Sequence, residues 1–300
     1  MIQAIETTHL SKRYGRKWSL QDCTLQIPIG SVTALVGPNG AGKTTLLSIA
    51  AGLLGPSAGT MAVLGLDPIK DAKKLLPRIG FVSQDHPLYK SFTVRDMLTL
   101  GSKLNPQWQP EIALKRLERL GIPLKQAVGR LSGGQQAQVA LLLALAKQPE
   151  VLILDEPVAS LDPLARREFQ QTLMDAVAEH GLTVIIASHI IADLERFCDY
   201  VVILSVSRVQ ISSAADHLLE SHKLLIGPHE RAESISKTHT VLSSHEAGRQ
   251  ATLLVHTQGP ILDPVWEVRS VSLEDIVLSY LTLSNTVMSD QDNENLETVR

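Results

Sequence analysis

The 300-residue sequence contains only two cysteines, little net charge and no long apolar run. Cys23 and Cys198 lie far apart in the chain and outside any CxxC pattern, which indicates neither a disulfide framework nor a metal site. The ten histidines show no HxxxH spacing and no pairing with the cysteines. We therefore expect a protein of the reducing cytoplasm, with no metal cage built from its own side chains.

The remaining absences concern nucleic acid and membranes. A formal net charge of −3 gives no positive surface of the kind that neutralises nucleic-acid phosphates, so we expect no nucleic-acid partner. The first 17 residues lack the apolar segment of a signal peptide. The longest apolar run, Val139 to Ala146, is far shorter than the roughly 18 to 20 residues that cross a bilayer. Any work at a membrane therefore requires a second polypeptide.

Short apolar runs alternate with helical patterns, which predicts an α/β fold with a largely parallel sheet. Between the second and third predicted core strands, residues 88–147 show helical patterns alone, so we expect a helical insertion there. The five predicted core strands are Val32 to Val36, Ile79 to Val82, Val151 to Leu154, Thr183 to Ala187 and Tyr200 to Leu204.

The composition changes after residue 205 to segments that contain serine and histidine. Two alternating runs, Thr240 to Ser243 and Ala251 to His256, predict a small β-containing region. Residues 273–281 carry apolar side chains at helical spacing behind a Ser272–Asp275 capping box, which predicts a helix docked by one face. The predicted division is a core domain, a C-terminal α+β accessory domain and a polar tail that we expect to be disordered, at residues 1–205, 206–283 and 284–300.

The sharpest local pattern is a glycine-rich segment between the first core strand and a helical run. It is Gly37-Pro38-Asn39-Gly40-Ala41-Gly42-Lys43-Thr44, which matches the phosphate-binding loop. Glycines let backbone N–H groups curve around a β-phosphate, and the helix N-terminus supplies positive potential. Lys43 is expected to reach the β- and γ-phosphates and Thr44 to bind Mg²⁺. A glycine-rich turn without a ligand is the alternative, and a chance match is on the order of one per cent.

Two carboxylates, Asp155 and Glu156, end the third core strand. A single acid at such a position is as often a cap as a ligand, so the pair carries the argument. At the carboxyl end of the strand, Asp155 is placed to hold the Mg²⁺ shell and Glu156 to reach the water that attacks the γ-phosphate. Two carboxylates beside a triphosphate repel it unless a metal compensates. The pair therefore predicts a Mg–ATP site.

A third motif, Leu131-Ser132-Gly133-Gly134-Gln135, opens the helical run that ends near Ala146. Taken alone, it is a serine helix cap followed by flexible glycines. Together with the phosphate loop and the acidic strand end, in this order, it resembles the signature of the ATP-binding cassette (ABC) ATPases. The resemblance covers roughly residues 2–204. It implies a P-loop NTPase of the ABC type, with a helical subdomain.

The resemblance also implies roles for individual residues. Tyr14 resembles the aromatic residue that stacks on adenine, Gln84 the glutamine that senses the γ-phosphate and Mg²⁺, and His189 the switch histidine. Glu156 would then be the general base, with His189 and Lys43 stabilising charge on the transferred phosphoryl group. The implied nucleotide-binding residues are Tyr14, Gly37, Pro38, Asn39, Gly40, Ala41, Gly42, Lys43, Thr44, Thr45, Ser132, Gly133, Gly134, Gln135 and Asp162. The implied Mg²⁺ ligands are Thr44, Gln84 and Asp155.

In this family the signature of one subunit closes on ATP held by the other, which implies a homodimer with two sites and a separate transmembrane permease. The expected location is the cytoplasmic face of the cell membrane, or the cytoplasm before assembly. The segment around His189 and the short C-terminal region resemble bacterial drug- and bacteriocin-exporter ATPases. A soluble cassette ATPase, for example in iron–sulfur assembly, is the alternative. One departure from the family is that Gln136-Ala137-Gln138 replaces a basic pattern after the signature.

Overall fold

The structure is a computed structural model that describes residues 3–192, 194–257, 259–261 and 263–284. The strands of this part of the chain are β1 (Gln3–Tyr14), β2 (Lys17–Pro28), β3 (Val32–Val36), β4 (Ala58–Val63), β5 (Ile79–Val82), β6 (Val151–Asp155), β7 (Thr183–Ser188), β8 (Tyr200–Ser205), β9 (Arg208–Ala214), β10 (His222–Pro228), β11 (Thr240–Ala247), β12 (Gln250–His256) and β13 (Glu267–Arg269). The α-helices are α1 (Lys43–Ala50), α2 (Ala72–Leu75), α3 (Val94–Leu104), α4 (Pro110–Arg119), α5 (Gly133–Leu145), α6 (Pro163–His180), α7 (Ala215–Ser221), α8 (Ala232–Ser236) and α9 (residues 273–284).

A six-stranded sheet in the order β5-β6-β7-β3-β8-β9 forms the centre of the fold. Its first five strands are parallel and β9 is antiparallel at the edge. Every residue of β3 and β6 is buried, as expected for strands covered on both faces. All five predicted core strands are confirmed, and β6, β7 and β8 each continue one residue further. The carboxyl ends of β6, β7 and β3 therefore meet at one edge.

A second sheet, β2-β1-β4, is antiparallel and was not predicted. The strand pattern in β1 and β2 is interrupted, since His9 and Asp22 have φ of 51° and 54° and the pairing register shifts between Thr7 and Leu10. These irregularities hide the alternation that identifies a strand from sequence. The sheet covers α1 and one face of the central sheet, with Leu20, Ile27, Leu46, Leu47 and Val202 in a shared buried cluster.

The helical insertion is confirmed as α3, α4 and α5, which cover the opposite face of the central sheet. Thr93 begins α3 with a capping box to Asp96, which fixes where the first of these helices starts. Helix α5 is buried over most of its length, in agreement with its run of alanine and leucine. Among the described residues, no helix combines the length and the apolar character needed to cross a membrane.

The C-terminal part contains a four-stranded antiparallel sheet in the order β11-β12-β10-β13. The two predicted strands are present as β11 and β12, joined at Gly248, whose φ is 64°. The docked helix is also present as α9, whose Leu273, Ile276 and Val277 are buried in the same cluster as Val201 and Ile203. The accessory region therefore joins the core through this cluster, and it also has a separate buried cluster of its own that includes Leu225, Leu253 and Trp266.

The predicted boundaries relate to these elements in two ways. Strand β9 extends the central sheet past residue 205, and Ser212 Oγ donates to Gln26 O of β2. The division after residue 205 remains a prediction. The disordered tail predicted for residues 284–300 lies outside the described residues, except for Ser284, which is helical and is the last described residue.

Candidate functional site

A cavity of about 230 Å³ lies at the edge of the central sheet where β3, β6 and β7 end. It brings together residues of the phosphate loop, Glu156 at the end of β6, and the single residues Gln84 and His189, which are far apart in sequence. Its lining consists of Ser19, Asn39, Gly40, Gly42, Lys43, Thr44, Thr45, Gln84, Glu156 and His189. Nine of these ten residues were predicted from the sequence.

The loop between β3 and α1 requires glycine at two positions for different reasons. Gly42 has a φ of 107°, in the left-handed region, and a Cβ there would collide with the carbonyl oxygen of Ser19. A Cβ on Gly37 would collide with the carbonyl oxygen of Leu204. The loop is therefore packed against β2, through Ser19, and against β8, through Leu204. This packing fixes the path of its backbone around the cavity.

Lys43 is held inside this loop and is only 6% exposed. Its Nζ donates to Gly37 O at 2.7 Å and to Pro38 O at 3.3 Å, and lies 3.5 Å from Glu156 Oε1. A buried ammonium group requires such partners, because desolvation of an unpaired charge is costly. The positive charge is thus fixed at the centre of the loop.

Glu156 directly follows β6 and has a φ of 49°, an uncommon conformation for a residue with a side chain. Its N–H donates to Ala187 O at 3.1 Å, which helps to hold this backbone. Its Oε2 lies 2.8 Å from His189 Nδ1, so we assign the proton of that hydrogen bond to the imidazole. One buried carboxylate is therefore shared between Lys43 and His189. Uncommon backbone conformations of this kind concentrate at functional sites.

Asp155 lies beside Thr44, whose Oγ1 donates to Asp155 Oδ1 at 3.2 Å. Burial raises the pKa of Asp155; the Thr44 hydrogen bond opposes this shift, neighbouring Glu156 adds to it and Lys43 again opposes it. A hydroxyl and a carboxylate are oxygen donors that suit Mg²⁺, which proteins bind through one or two carboxylates together with substrate phosphates. The described residues contain no group of three or more His, Cys, Asp or Glu able to hold a metal alone. This donor pair fits an ion that arrives with phosphates.

The signature motif lies outside the cavity. Ser132 caps α5, its Oγ accepting from Gln135 N at 3.2 Å while Gln135 Oε1 accepts from Ser132 N at 3.1 Å. Ser132 and Gly133 are exposed, and Gly134 packs so closely on Ala165 that a Cβ would collide with it. The motif is thus a rigid, exposed helix start that does not contribute to the cavity of its own chain.

Six other predicted residues do not line the cavity either, including Gly37, which packs on Leu204, and Asp155, which lies beside Thr44. Tyr14 ends β1 with its ring half exposed, and Asp162 caps α6 by accepting from Leu164 N and Ala165 N, both at 3.0 Å. Pro38 lies within the loop and Ala41 is buried beneath it. The sequence analysis missed Ser19, whose Oγ lies 2.8 Å from Thr45 Oγ1. A serine within a strand carries no motif that would have identified it.

Residues 20–159 match the family described as ABC transporter. Three curated relatives show how widely this similarity extends. The bacitracin transport ATP-binding protein BcrA of Bacillus licheniformis is 28% identical over 263 residues, 86% of each chain. The Nod factor export ATP-binding protein I of Burkholderia orbicola is 34% identical over 225 residues, 73% of this chain and 74% of that protein. The sulfate/thiosulfate import ATP-binding protein CysA of Mycobacterium tuberculosis is 36% identical over 225 residues, 72% and 63% of the two chains.

Solved structures give the same comparison in three dimensions. The cbiO1 protein of Clostridium perfringens, part of the ABC transporter complex cbiONQ, has a TM-score of 0.64 and 31% identity, covering 73% of this chain and 92% of that one. A dimeric ATP-binding cassette in a post-hydrolysis state, bound to ADP and Pi, has a TM-score of 0.63 and 25% identity, covering 70% and 98%.

Proposed function

The chain belongs to the family of ABC transporter ATP-binding proteins, which are ATPases, and from that premise we propose that it powers export through a separate transmembrane permease. Two copies would hydrolyse ATP in a dimer that requires Mg²⁺. One observation carries the catalytic part: the buried Glu156 carboxylate lies between Lys43 and His189, at the wall of the phosphate-loop cavity.

Each residue of the cavity has a proposed task in this reaction. Glu156 accepts the proton of the attacking water, and His189 holds the carboxylate in position. Lys43 Nζ would exchange its hydrogen bonds to the carbonyl oxygens of its own loop for hydrogen bonds to the γ-phosphoryl oxygens, where negative charge develops. Thr44 and Asp155 would hold Mg²⁺, with Gln84 facing the same space; the ion supplies charge compensation for the phosphates. Tyr14 would stack on adenine from the rim of the cavity.

The exposed signature supports a dimer as the active form. Ser132 and Gly133 are exposed and Gly134 is half-buried at the start of α5, outside the cavity of their own chain. Donors at a helix start bind anionic oxygens well, so these groups suit the γ-phosphate of ATP held by a second copy. Asp162 and Gln135 would then contact the same nucleotide from the copy that supplies the signature. Each ATP would join two subunits.

The permease requires an apolar docking surface, and a groove of about 610 Å³ between the central sheet and the helical insertion provides one. Phe81, Leu88 and Leu143 line it, and it extends to Thr44 and Asp155. A short helix from the permease would therefore contact the nucleotide site through the segment that carries Gln84. Such docking would place the protein at the cytoplasmic face of the membrane.

Export is proposed on the extent of the similarity rather than on percentage identity. Proteins named for import and for export are both about one-third identical to this chain. The 263-residue match to the bacitracin transport protein is longer than residues 1–205, so it includes part of the accessory region. A soluble cassette ATPase remains the second candidate. Co-purification with a membrane protein from detergent-solubilised cells supports transport, and its absence from every membrane fraction would favour the soluble role.

Glu156→Gln tests the catalytic proposal. The amide keeps the volume of the side chain but cannot accept the water proton, so we expect ATP to bind normally and turnover to fall at least about 100-fold. The variant should also form a dimer only when ATP is added, measured by size-exclusion chromatography with light scattering. Phosphate release at near wild-type rate would exclude Glu156 as the general base.

A further inference from the structure

The groove between the central sheet and the helical insertion contains a lysine, Lys147, in a largely apolar lining. The apolar side chains of this lining include Leu53, Phe81, Leu88 and Leu143. Leu53 is exposed, and exposed apolar side chains that line a groove favour binding of an apolar partner. The groove therefore presents a positive charge at an otherwise apolar contact surface.

Lys147 has no partner for its charge in the described part of the chain. It follows α5 and is half-buried. Among the ion pairs that the structure describes, none includes Lys147. Burial lowers the pKa of Lys147, and within the described residues neither a carboxylate nor a hydrogen bond opposes this shift. An ammonium group that loses water without gaining a partner costs free energy, which an anionic group in the groove would offset.

The same groove contains a second polar group without a partner. His86 lies two residues after Gln84 and lines the groove. Its Nε2 is buried and has no hydrogen-bond partner among the described residues. Buried side-chain nitrogens are mostly hydrogen-bonded, so this atom also indicates a group supplied from outside the chain. A hydroxyl group both donates and accepts, and it therefore suits Nε2 in either tautomer of the ring.

Helix α5 connects Lys147 to the signature motif. The helix spans 13 residues, from Gly133 to Leu145, which corresponds to a length of about 20 Å. Ser132 caps its first turn, and Lys147 lies two residues beyond its last residue. A contact made at Lys147 therefore acts on the same packed helix that presents the signature to the second copy.

We propose that the permease segment docked in this groove is a short amphipathic helix with a carboxylate that pairs with Lys147 and a hydroxyl group beside His86. The pairing rests on the proposed transport function and adds to it the charge that the partner carries. The apolar walls of the groove exclude water from the pair, which makes it stronger than an exposed ion pair. Loss of the Lys147 charge leaves the partner's carboxylate buried and unpaired.

A cation at this position also has a role that requires no partner. Lys147 lies beyond the end of α5, where the helix dipole favours positive charge. Lys147→Arg keeps the charge for both roles, whereas Lys147→Met removes it and keeps much of the volume of the side chain. The Tm of each variant measures the contribution to stability, and recruitment to membranes measures the pairing.

Sedimentation with membrane vesicles tests the pairing. The vesicles are prepared from cells that express the chain, stripped of peripheral proteins with urea, and mixed with purified full-length protein without nucleotide. We expect Lys147→Arg to bind like wild type, Lys147→Met to bind at least about tenfold more weakly, and Lys147→Glu to bind more weakly still. Lys237 is exposed in the accessory region, so Lys237→Met and Lys237→Glu are the matched controls and should bind like wild type.

Carbodiimide treatment of the recruited wild-type protein identifies the carboxylate. The reagent activates a carboxylate, and attack by the Lys147 amine forms an amide and releases the reagent as a urea. We expect a peptide in which Lys147 is joined to an Asp or Glu from a cytoplasmic loop of an integral membrane protein. Lys147→Glu combined with the reciprocal change of that acid to lysine should restore recruitment.

The possible outcomes separate this pairing from the transport function. Equal recruitment of wild type and Lys147→Met would overturn the pairing and leave the transport function standing, and a lower Tm in that case would assign Lys147 to the α5 dipole. Absence of wild-type recruitment to every vesicle preparation would overturn both. Binding to protein-free phosphatidylglycerol vesicles that Lys147→Met abolishes would assign the charge to a lipid headgroup and overturn the proposal.

Discussion

Lys43 is buried inside the nucleotide cavity, whereas Ser132 lies at an exposed helix start outside it. We therefore expect Lys43→Ala to weaken ATP binding by a single subunit, on the order of 10- to 100-fold, because a hydrogen-bonded charge is lost. Ser132→Arg should leave binding by the single subunit unchanged and abolish turnover, because the larger side chain blocks closure. Nucleotide titration of each purified variant, together with a phosphate-release assay, measures both effects.

A mixture of these two variants gives a sharper result than either alone. A mixed dimer contains one site built from the intact loop of the Ser132→Arg chain and the intact signature of the Lys43→Ala chain. Random pairing of equal amounts should restore up to about a quarter of wild-type activity. Isotope-labelled native mass spectrometry verifies that mixed dimers form. If they form and remain inactive, the signature does not act across the interface.

Among the elements, α5 shows the largest consequence of a departure from the family pattern. Gln138 occupies a position after the signature where a basic residue is usual, and it is 3% exposed. Within the described part of the chain, neither side-chain amide atom of Gln138 has a hydrogen-bond partner. Buried polar atoms without partners cost free energy, so we expect the folded protein to be less stable with Gln138 than with an apolar residue at the same position.

His222 connects four elements of the accessory region, since it lies in β10 against α7, β12 and α9. Its Nδ1 lies 2.8 Å from Leu218 O, its Nε2 3.0 Å from Tyr280 OH, and its ring stacks on that of His256. The carbonyl can only accept, so we assign the proton to Nδ1 and make Nε2 the acceptor for Tyr280. Burial lowers the pKa of His222; the hydrogen bond to Leu218 O opposes this shift, and the neighbouring His256, His217 and Lys223 add to it.

This environment predicts that the folded protein loses stability as pH falls. Below about 6.5, the unfolded chain binds a proton at His222 that the folded chain does not, so the free energy of unfolding decreases. His222→Gln should therefore show a smaller decrease in Tm between pH 7.5 and 5.5 than wild type does. His180→Gln, at the exposed end of α6, is the matched control and should keep the wild-type dependence. Equal pH dependence in all three proteins would contradict the assignment.

How far each element was predictable from sequence depended on the continuity of its pattern. β3 and β6 are buried on both faces, so their unbroken apolar runs identified them. β1 and β2 were missed because the irregular backbone at His9 and Asp22, which have positive φ, interrupts the alternation. β10 was missed because its apolar residues, Leu224 to Ile226, are consecutive and do not alternate with polar ones. The cavity was predicted almost completely since its residues belong to motifs, whereas Ser19 reaches it only through pairing of β2 with β1, which no local pattern encodes.

At the scale of the whole molecule, the groove beside the Gln84 segment should separate catalysis from coupling. Leu88 lines the groove. The next residue, Tyr89, is 59% exposed, and its ring lies tilted against that of Phe92 with the ring centres 5.0 Å apart. We expect Tyr89→Ser to change stability by less than about 0.5 kcal/mol and to leave basal ATP hydrolysis unchanged, because an exposed ring is removed. Recruitment to membranes that contain the permease should be lost, as measured by sedimentation with vesicles.

Leu104→Ser provides the control for this experiment, since Leu104 is 70% exposed on the same helical insertion but ends α3, 15 residues beyond Tyr89 in the chain. It should retain both hydrolysis and recruitment. Leu88→Ser is expected to lower stability as well, because Leu88 packs against the buried cluster. Collapse of basal activity in Tyr89→Ser would instead mean that this ring anchors the insertion, and the permease would then dock elsewhere.

The position of α9 also determines when the protein can finish folding. Its residues Leu273 and Val277 belong to the same buried cluster as Leu194 and Val201, and Glu195 Oε1 accepts from Leu273 N at 2.8 Å. Because the ribosome adds about 5 to 20 residues per second, Leu273 is made roughly 4 to 15 seconds after Val201. During that interval the nascent ATPase core exposes the apolar surface that α9 covers in the folded protein. A messenger RNA truncated before codon 273 would therefore yield a chain that holds every nucleotide-binding motif and yet requires chaperones to remain soluble.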